Sequence, residues 1–275
     1  MARMSIPIIC FDLDGTLIDE HGRIHPNDKA ILSQPPRDVV LVPNTGRPMN
    51  SVLPMFHERD MLTGYSLLPF PGVCQNGGTV YLENEVLVSV STMDPEVQAE
   101  LIKITRPFKR VTTILTTVDL HMYFNPTEYG FQASRDFNFT LTPVSPDDTF
   151  PPLTKVMAFS DHPEDLAEIA RLAEGLSTSA SYSQPTIYEF LPAGVNKGTG
   201  LRALMDALDL QDSPVFAAGN GGNDVEMLEM ADVAFAPHNS SADVLALADE
   251  VLDVSQEGLL IPMFRWAGLM VEVPR

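Results

Sequence analysis

The chain predicts an α/β fold: a doubly wound parallel-sheet core, Rossmann-like, that carries an inserted α/β domain. Three observations predict it. Short apolar runs at 6–11 and 39–42, and a third within "YSLLPFPGVCQNGG", suit strands buried on both faces of a parallel sheet. Helix-like segments alternate with them, as in βαβ units. The rhythm breaks near residue 79 and resumes after about 186, the signature of an insertion.

The first run leads straight into Asp12 and Asp14, with Gly15 behind them. Asn27 has the chemistry of a helix N-cap, and Pro35 and Pro36 should stop the helix it opens. The run at 39–42 delivers Asn44, Thr45, Gly46 and Arg47 to its carboxyl end, and the third strand ends at Asn76. "TVYLENEVLVSV" then reads as two strands around Glu83-Asn84-Glu85, a hairpin and not a crossover. From there the chain offers antiparallel strands and two helical runs, the clearer at 163–176. "TIYEFLPAGVNKGTGLRALMDALDL" and "SPVFAAGNGGNDVEMLEMADVAFAP" restore the strand, loop and helix order. The resulting division is a discontinuous core, 1–82 with 188–275, and an insert, 83–187. There is no internal repeat.

Composition narrows the function. The 275 residues include 37 acidic and 17 basic side chains, a formal charge of −20, which repels a phosphate backbone or an anionic membrane face. A nucleic-acid or membrane partner is therefore not expected. Cys10 and Cys74 end strand-like runs and read as buried free thiols. The amino-terminal apolar run is too short for a signal peptide, and no stretch reaches the ~20 apolar residues of a membrane helix. These features predict a soluble, cytoplasmic protein; its oligomeric state is not legible.

In an open parallel sheet, ligands sit beyond the carboxyl ends of the strands. Four polar clusters fall there: Asp12 with Asp14, Thr45 with Arg47, Lys197 at a helix start, and "AGNGGND" at 218–224. Each has a plainer reading alone. Asp-x-Asp-Gly could be only a turn, Thr45-Gly46-Arg47 a helix cap, and Lys197 a solvated lysine. The glycine cluster fails as a dinucleotide fingerprint because Asp224 stands where that pattern needs glycine. Convergence of acids, lysine and hydroxyl instead calls for a divalent cation and an anionic substrate.

In order, "DLDGTL", "TGR", "GVNKGTGL" and "GNGGND" resemble the four motifs of the haloacid dehalogenase (HAD) superfamily of phosphohydrolases. The likeness is nearest to its Cof-type branch, with a large α/β cap. The resemblance covers nearly the whole chain and implies a Mg²⁺-dependent phosphatase acting on small phosphorylated metabolites, such as sugar phosphates, through an aspartyl phosphate. It implies Asp12 as nucleophile and Asp14 as general acid, then general base. Thr45, Gly46, Arg47, Lys197 and Asn223 would hold the phosphoryl group, with Thr45 and Lys197 also serving the chemistry. Asp12, Asp14, Asn220 and Asp224 would hold the metal. The sequence departs from the family at Asn220, where an aspartate ligand is usual, so weaker Mg²⁺ binding is expected. Two alternatives stay open: a phosphomutase, and a catalytically weakened phosphate-binding protein. The mutase would be expected to carry an arginine-rich cap, whereas the insert has only Arg106, Arg110, Arg135 and Arg171. Within the insert, Tyr123, Tyr129, Tyr182, His121 and Arg135 could face a substrate or serve only structure.

Overall fold

The computed structural model describes residues 6–136 and 139–270. The chain forms two compact units, one of Met1–Ser89 with Asn196–Arg275 and one of Val90–Val195.

The first unit begins with β1 (Ile8–Phe11), α1 (Pro26–Ser33), β2 (Val40–Pro43), α2 (Met49–Glu58), β3 (Gly72–Cys74), β4 (Thr79–Leu82) and β5 (Val86–Val90). The second unit follows with α3 (Pro95–Thr105), β6 (Thr112–Thr116), β7 (His121–Phe124), α4 (Glu128–Asp136), β8 (Leu141–Pro143), β9 (Lys155–Phe159), α5 (Pro163–Leu172), β10 (Thr178–Gln184) and β11 (Ile187–Pro192). The chain then returns to the first unit with α6 (Lys197–Ala207), β12 (Val215–Ala218), α7 (Val225–Glu229), β13 (Val233–Pro237), α8 (Ala242–Leu247), β14 (Glu250–Leu252), α9 (Val254–Glu257) and α10 (Leu260–Trp266).

The first unit's main sheet is parallel, in the order β14-β13-β12-β1-β2. All four residues of β1 are buried, which explains the unbroken apolar run that predicts it. Ile9 and Phe11 point into one core cluster, Ile8 and Cys10 into the other, as the two-residue period of a strand requires. The chain order reverses at β1: β2 lies on one side, and β12, from far along the sequence, on the other. This is the topological switch point at which such sheets bind ligands. Strand β3 pairs antiparallel with β4 and meets β2 through one parallel bridge, Asn44 to Val73. The hairpin read at 83–85 is present, with Asn84 and Glu85 both at positive φ between β4 and β5.

The second unit holds a six-stranded sheet, β10-β11-β9-β6-β7-β8. Its cluster of Leu101, Val111, Leu115, Val156, Leu166, Ile169 and Phe190 shows why α3 and α5 are amphipathic: their apolar stripes pack on one sheet face.

Three local expectations are corrected. His25, not Asn27, caps α1: its Nδ1 accepts the Asn27 backbone N–H at 3.2 Å, because Pro26 at the first helical position leaves His25 as the residue before the helix. Among the described residues the insert has three helices where the sequence suggests two. The third, α4, is short and mostly polar, with few apolar residues to mark it in the sequence. The segment starting at 188 does not open the core, since β11 is an interior strand of the second unit, antiparallel to both β10 and β9. An apolar strand reads alike in parallel and antiparallel settings, so the sequence places the return to the core several residues early.

Candidate active site

Every residue singled out for chemistry, phosphate binding or metal binding lies in the first unit, whereas the five substrate-facing candidates of the insert lie in the second. Strand β1 carries Asp12 to the carboxyl edge of the sheet, where its backbone N–H donates to Ala218 O at 2.9 Å. The chain then turns tightly. The Gly15 N–H donates to Ile18 O at 2.7 Å, and Gly15 sits at φ +88°. A Cβ there would lie 2.3 Å from Asn220 Nδ2, so only glycine allows both the turn and the approach of the Asn220 amide.

Lys197 arrives by helix capping. The Asn196 side chain accepts the Thr199 N–H at 2.8 Å, and Thr199 Oγ1 accepts the Asn196 N–H at 3.0 Å, a reciprocal box that fixes the start of α6. Lys197 is therefore the first helical residue, fully buried. Helix α6 presses against the 75–77 turn: a Cβ on Gly200 would lie 2.6 Å from Gly77 Cα. Asn44 Nδ2 adds a bond to Lys197 O at 3.0 Å.

The Lys197 ammonium lies between two carboxylates, 2.5 Å from Asp12 Oδ1 and 2.6 Å from Asp224 Oδ1. The other Asp224 oxygen accepts the backbone N–H groups of Asn220 and Gly221, each at 2.9 Å. Asp224 thus fixes the lysine and the loop together. Burial pushes the Asp12 carboxyl up to about 7, against the pull of Lys197 and with reinforcement from Asp224 and Asp14. Burial alone would lower Lys197, but Asp12 and Asp224 outweigh it and the net shift is upward. The two shifts pull oppositely on one ion pair. The ammonium is the firmer partner, since two carboxylates face it, whereas Asp12 faces one cation and two acids. The cluster keeps an excess of negative charge.

Asp14 takes a different partner. Arg47 Nε donates to Oδ2 at 2.6 Å and Nη2 to Oδ1 at 2.8 Å. The Arg47 backbone N–H donates to Thr45 Oγ1 at 3.1 Å. Thr45 is fully buried, and among the described residues its hydroxyl proton meets no acceptor. Asn223 Nδ2 donates to Asn76 Oδ1 at 3.1 Å. The turn at 75–76, both residues at positive φ, grips the Thr45–Gly46–Arg47 loop: Asn76 N donates to Thr45 O and Gln75 N to Arg47 O.

Thr16, unassigned in the sequence reading, sits 3.2 Å from Asp12 Oδ2 and 3.1 Å from Asn220 Oδ1. One hydroxyl proton satisfies only one of these acceptors, so two hard oxygens converge on a single donor. Its place beside Gly15 in "DLDGTL" was the available signal. Among the described residues no three His, Cys, Asp or Glu side chains form a metal-holding group. The donor set that fits a small hard cation is mixed: the Asp12 carboxylate, the Asn220 amide oxygen and a backbone carbonyl. Asp224 stands behind them, with both oxygens engaged.

Of the insert residues, His121 is buried, stacked on Phe139 at 4.4 Å. Its imidazole is lowered to about 4 by burial and then by Lys155. Tyr123 packs edge-on against Phe131, and Tyr182, partly exposed, against Tyr188. Cys10 and Cys74 are buried free thiols, and burial pushes the Cys10 thiol up to about 12. A cavity of about 710 Å³ opens beside Pro214 and Val215, at the amino end of β12 and the opposite sheet edge from Asp12. It contains none of the converging charges, so charge and not cavity size marks the site.

A parallel α/β core with a buried carboxylate–lysine–carboxylate cluster at its switch point defines a hydrolase-type fold and site. The chain belongs to the haloacid dehalogenase-like hydrolases, whose sequence pattern matches residues 9–260. It is similar to a phosphoglycolate phosphatase of Haloarcula marismortui, at 26% identity over 90% of this chain and 92% of that protein. It is also 26% identical, over 94% of its length, to the chloroplastic endoribonuclease YBEY of Arabidopsis thaliana, but spans only 46% of that protein. Its fold matches TM0651 of Thermotoga maritima with a TM-score of 0.78, at 24% identity over 97% of this chain and 98% of that one. No helix among the described residues is long and apolar enough to cross a membrane.

Proposed function

We propose that this chain is a Mg²⁺-dependent phosphatase that hydrolyses small phosphorylated metabolites through an aspartyl phosphate on Asp12. The observation that carries it is the Asp12–Lys197–Asp224 cluster, whose surplus negative charge suits a divalent cation and whose lysine suits a phosphoryl group. The phosphatase named among the relatives over nine-tenths of this chain supports the same reading.

In this reading Asp12 Oδ attacks phosphorus and the phosphorus–ester oxygen bond breaks. Asp14 gives its proton to the leaving oxygen, which departs as an alcohol. Asp14, now a carboxylate, takes a proton from water while that water's oxygen attacks phosphorus. The bond from phosphorus to Asp12 breaks, inorganic phosphate leaves, and Asp14 is again protonated. Thr45, with its unspent hydroxyl proton, donates to a phosphoryl oxygen beside the Gly46 amide, Arg47 and Asn223. Lys197 holds the nucleophile and offsets charge on the transferring group. Mg²⁺, held by Asp12, the Asp14 carbonyl and Asn220, with Asp224 behind, would supply charge neutralisation at the phosphoryl oxygens. Selection of the leaving group is assigned to the inserted second unit, Val90–Val195. Buried free thiols suit a cytoplasmic setting.

The test is release of phosphate from an aryl phosphate across a Mg²⁺ titration, with Asp12→Asn alongside. Metal-dependent release confined to the parent protein supports the reading. Isomerised product that requires a bisphosphate would replace it with a mutase. Tight binding of phosphorylated metabolites without turnover at high Mg²⁺ would replace it with a binding protein weakened by Asn220.

A further inference from the structure

Asp14 has 48% of its side chain exposed, yet one guanidinium occupies both its oxygens, at 2.6 and 2.8 Å. Arg47 itself is 9% exposed and held from several sides. Its Nη1 lies 3.4 Å from Ser51 Oγ on α2, its N–H donates to Thr45 Oγ1, and its carbonyl accepts from Gln75 N at 3.0 Å. The arginine is therefore the fixed member of the pair and the carboxylate the movable one. A two-bond fork of this kind is among the stronger carboxylate contacts. The reaction described above needs Asp14 to touch first the leaving oxygen and then a water. While Arg47 holds both its oxygens, the carboxylate keeps one orientation, and serving two different groups in turn requires it to leave that orientation.

We propose that Arg47 is a positioning residue that parks Asp14 and releases it when the phosphoryl group of a monoester arrives at Thr45 and Gly46. This rests on the phosphatase reading and goes beyond it, since it makes the acid–base group available only when substrate is bound. The chemistry is a competition for one fork. A guanidinium pairs bidentately with a carboxylate or with two phosphoryl oxygens, and Thr45, next but one to Arg47, is the residue with a hydroxyl proton to spare. A monoester dianion attracts the guanidinium about twice as strongly as a diester monoanion at equal distance, so the release favours monoesters.

The direct test follows the Arg47 Nε–H by proton–nitrogen NMR of the full chain in Mg²⁺ buffer, with and without inorganic phosphate, in the parent and in Asp14→Asn. The parent and variant signals should differ without phosphate and coincide once phosphate saturates the Thr45 and Gly46 amides. If phosphate moves those amides while the Arg47 signal keeps its free position, the proposal is overturned and the phosphatase reading is untouched. If phosphate moves neither, the release step is equally overturned, and the phosphatase reading is judged by turnover and the Asp12→Asn control.

A series of aryl phosphates gives the second readout. In kcat/KM, which reports phosphorylation of Asp12, Asp14→Asn should lose least with the best leaving group and up to about 10⁴-fold with the poorest, the upper end expected of a general acid. Arg47→Gln alone should change the series unequally, and added to Asp14→Asn it should change every member by one common factor. A common factor in both backgrounds would make Arg47 a phosphate clamp only and overturn the proposal.

Discussion

Both units bury a lysine against a carboxylate, and the difference between the two arrangements separates a pair that bridges strands from the cluster proposed to react. In the second unit, Lys155 on β9 meets Glu189 on β11 at 2.9 Å, and Ser183 Oγ donates to the other carboxylate oxygen at 3.0 Å. The ammonium and the carboxylate meet between neighbouring strands, and a hydroxyl from a third strand ties the carboxylate down. In the first unit, Lys197 faces two carboxylates while Asp14 stands close enough to raise Asp12 further. In the second unit the carboxylate's two oxygens are each met by a donor of the protein itself. The cluster at the switch point of the parallel sheet has more carboxylates than cations, and in the proposed reading a metal ion would supply the missing positive charge.

The largest expected effect breaks the comparison at its reactive member. Asp12→Asn should reduce turnover below about one part in 10⁴, on the scale of other nucleophile deletions. It should leave the thermal midpoint unchanged or higher, because it removes a carboxylate whose ionised form burial disfavours. Activity that survives purification of this variant would mean another group attacks phosphorus.

Next, each lysine can be removed with and without its partner. Lys197→Met and Lys155→Met should each cost about 3–5 kcal/mol by denaturant melting, since each strands a buried carboxylate. Lys155→Met with Glu189→Leu should recover most of that loss and retain metal-dependent turnover of an aryl phosphate. Lys197→Met with Asp224→Leu should stay inactive however well it folds. Equal recovery of activity in both double variants would erase the distinction between the units.

A smaller effect sharpens the charge argument. Asn220→Asp adds a formal negative charge to an oxygen that shares Thr16 with Asp12, so the Mg²⁺ concentration for half-maximal rate should fall several-fold. Fluorescence or calorimetric Mg²⁺ titration without substrate should show the same shift. An unchanged affinity by both methods would remove position 220 from the metal site.

Most of this site was legible because its chemistry travels with backbone geometry. Asp12, Thr45, Lys197 and Asp224 each follow a strand or open a helix, and parallel strands deliver their carboxyl ends to one edge. Thr16 and Asn76 were not read as site residues, because their roles depend on contacts across 204 and 147 residues of chain, to Asn220 and Asn223. The pairing of Asp14 with Arg47 was hidden for the same reason. The sequence gives each residue a place at the sheet edge, whereas which acid meets which cation follows from side-chain packing. In the fold, the apolar strand at 187–192 was misassigned because period and composition do not reveal a strand's partners.

A further effect lies away from the site. Asp28 on α1 accepts the Leu259 and Leu260 N–H groups, each at 2.9 Å. Burial pushes its carboxyl up to about 6 against those two bonds, from an ordinary 3.8. A carboxyl raised by folding binds its proton more tightly in the native state, so its contribution to stability falls as pH rises from about 4 to about 6. Asp28→Asn should flatten that fall by about 3 kcal/mol, measured by urea melts across the window. Parallel pH profiles for parent and variant would show that Asp28 titrates alike in both states.

The central claim is that Asp12 carries the phosphoryl group, and the most direct measurement is acid quench of the Mg²⁺-loaded protein during aryl phosphate turnover, followed by peptide mass analysis. The peptide containing Asp12 should gain the mass of one phosphoryl group in the parent and in Asp14→Asn, where loss of the general base slows its hydrolysis, and not in Asp12→Asn. Phosphate release with no phosphorylated Asp12 peptide in Asp14→Asn, or a phosphoryl group on another residue, would contradict the account.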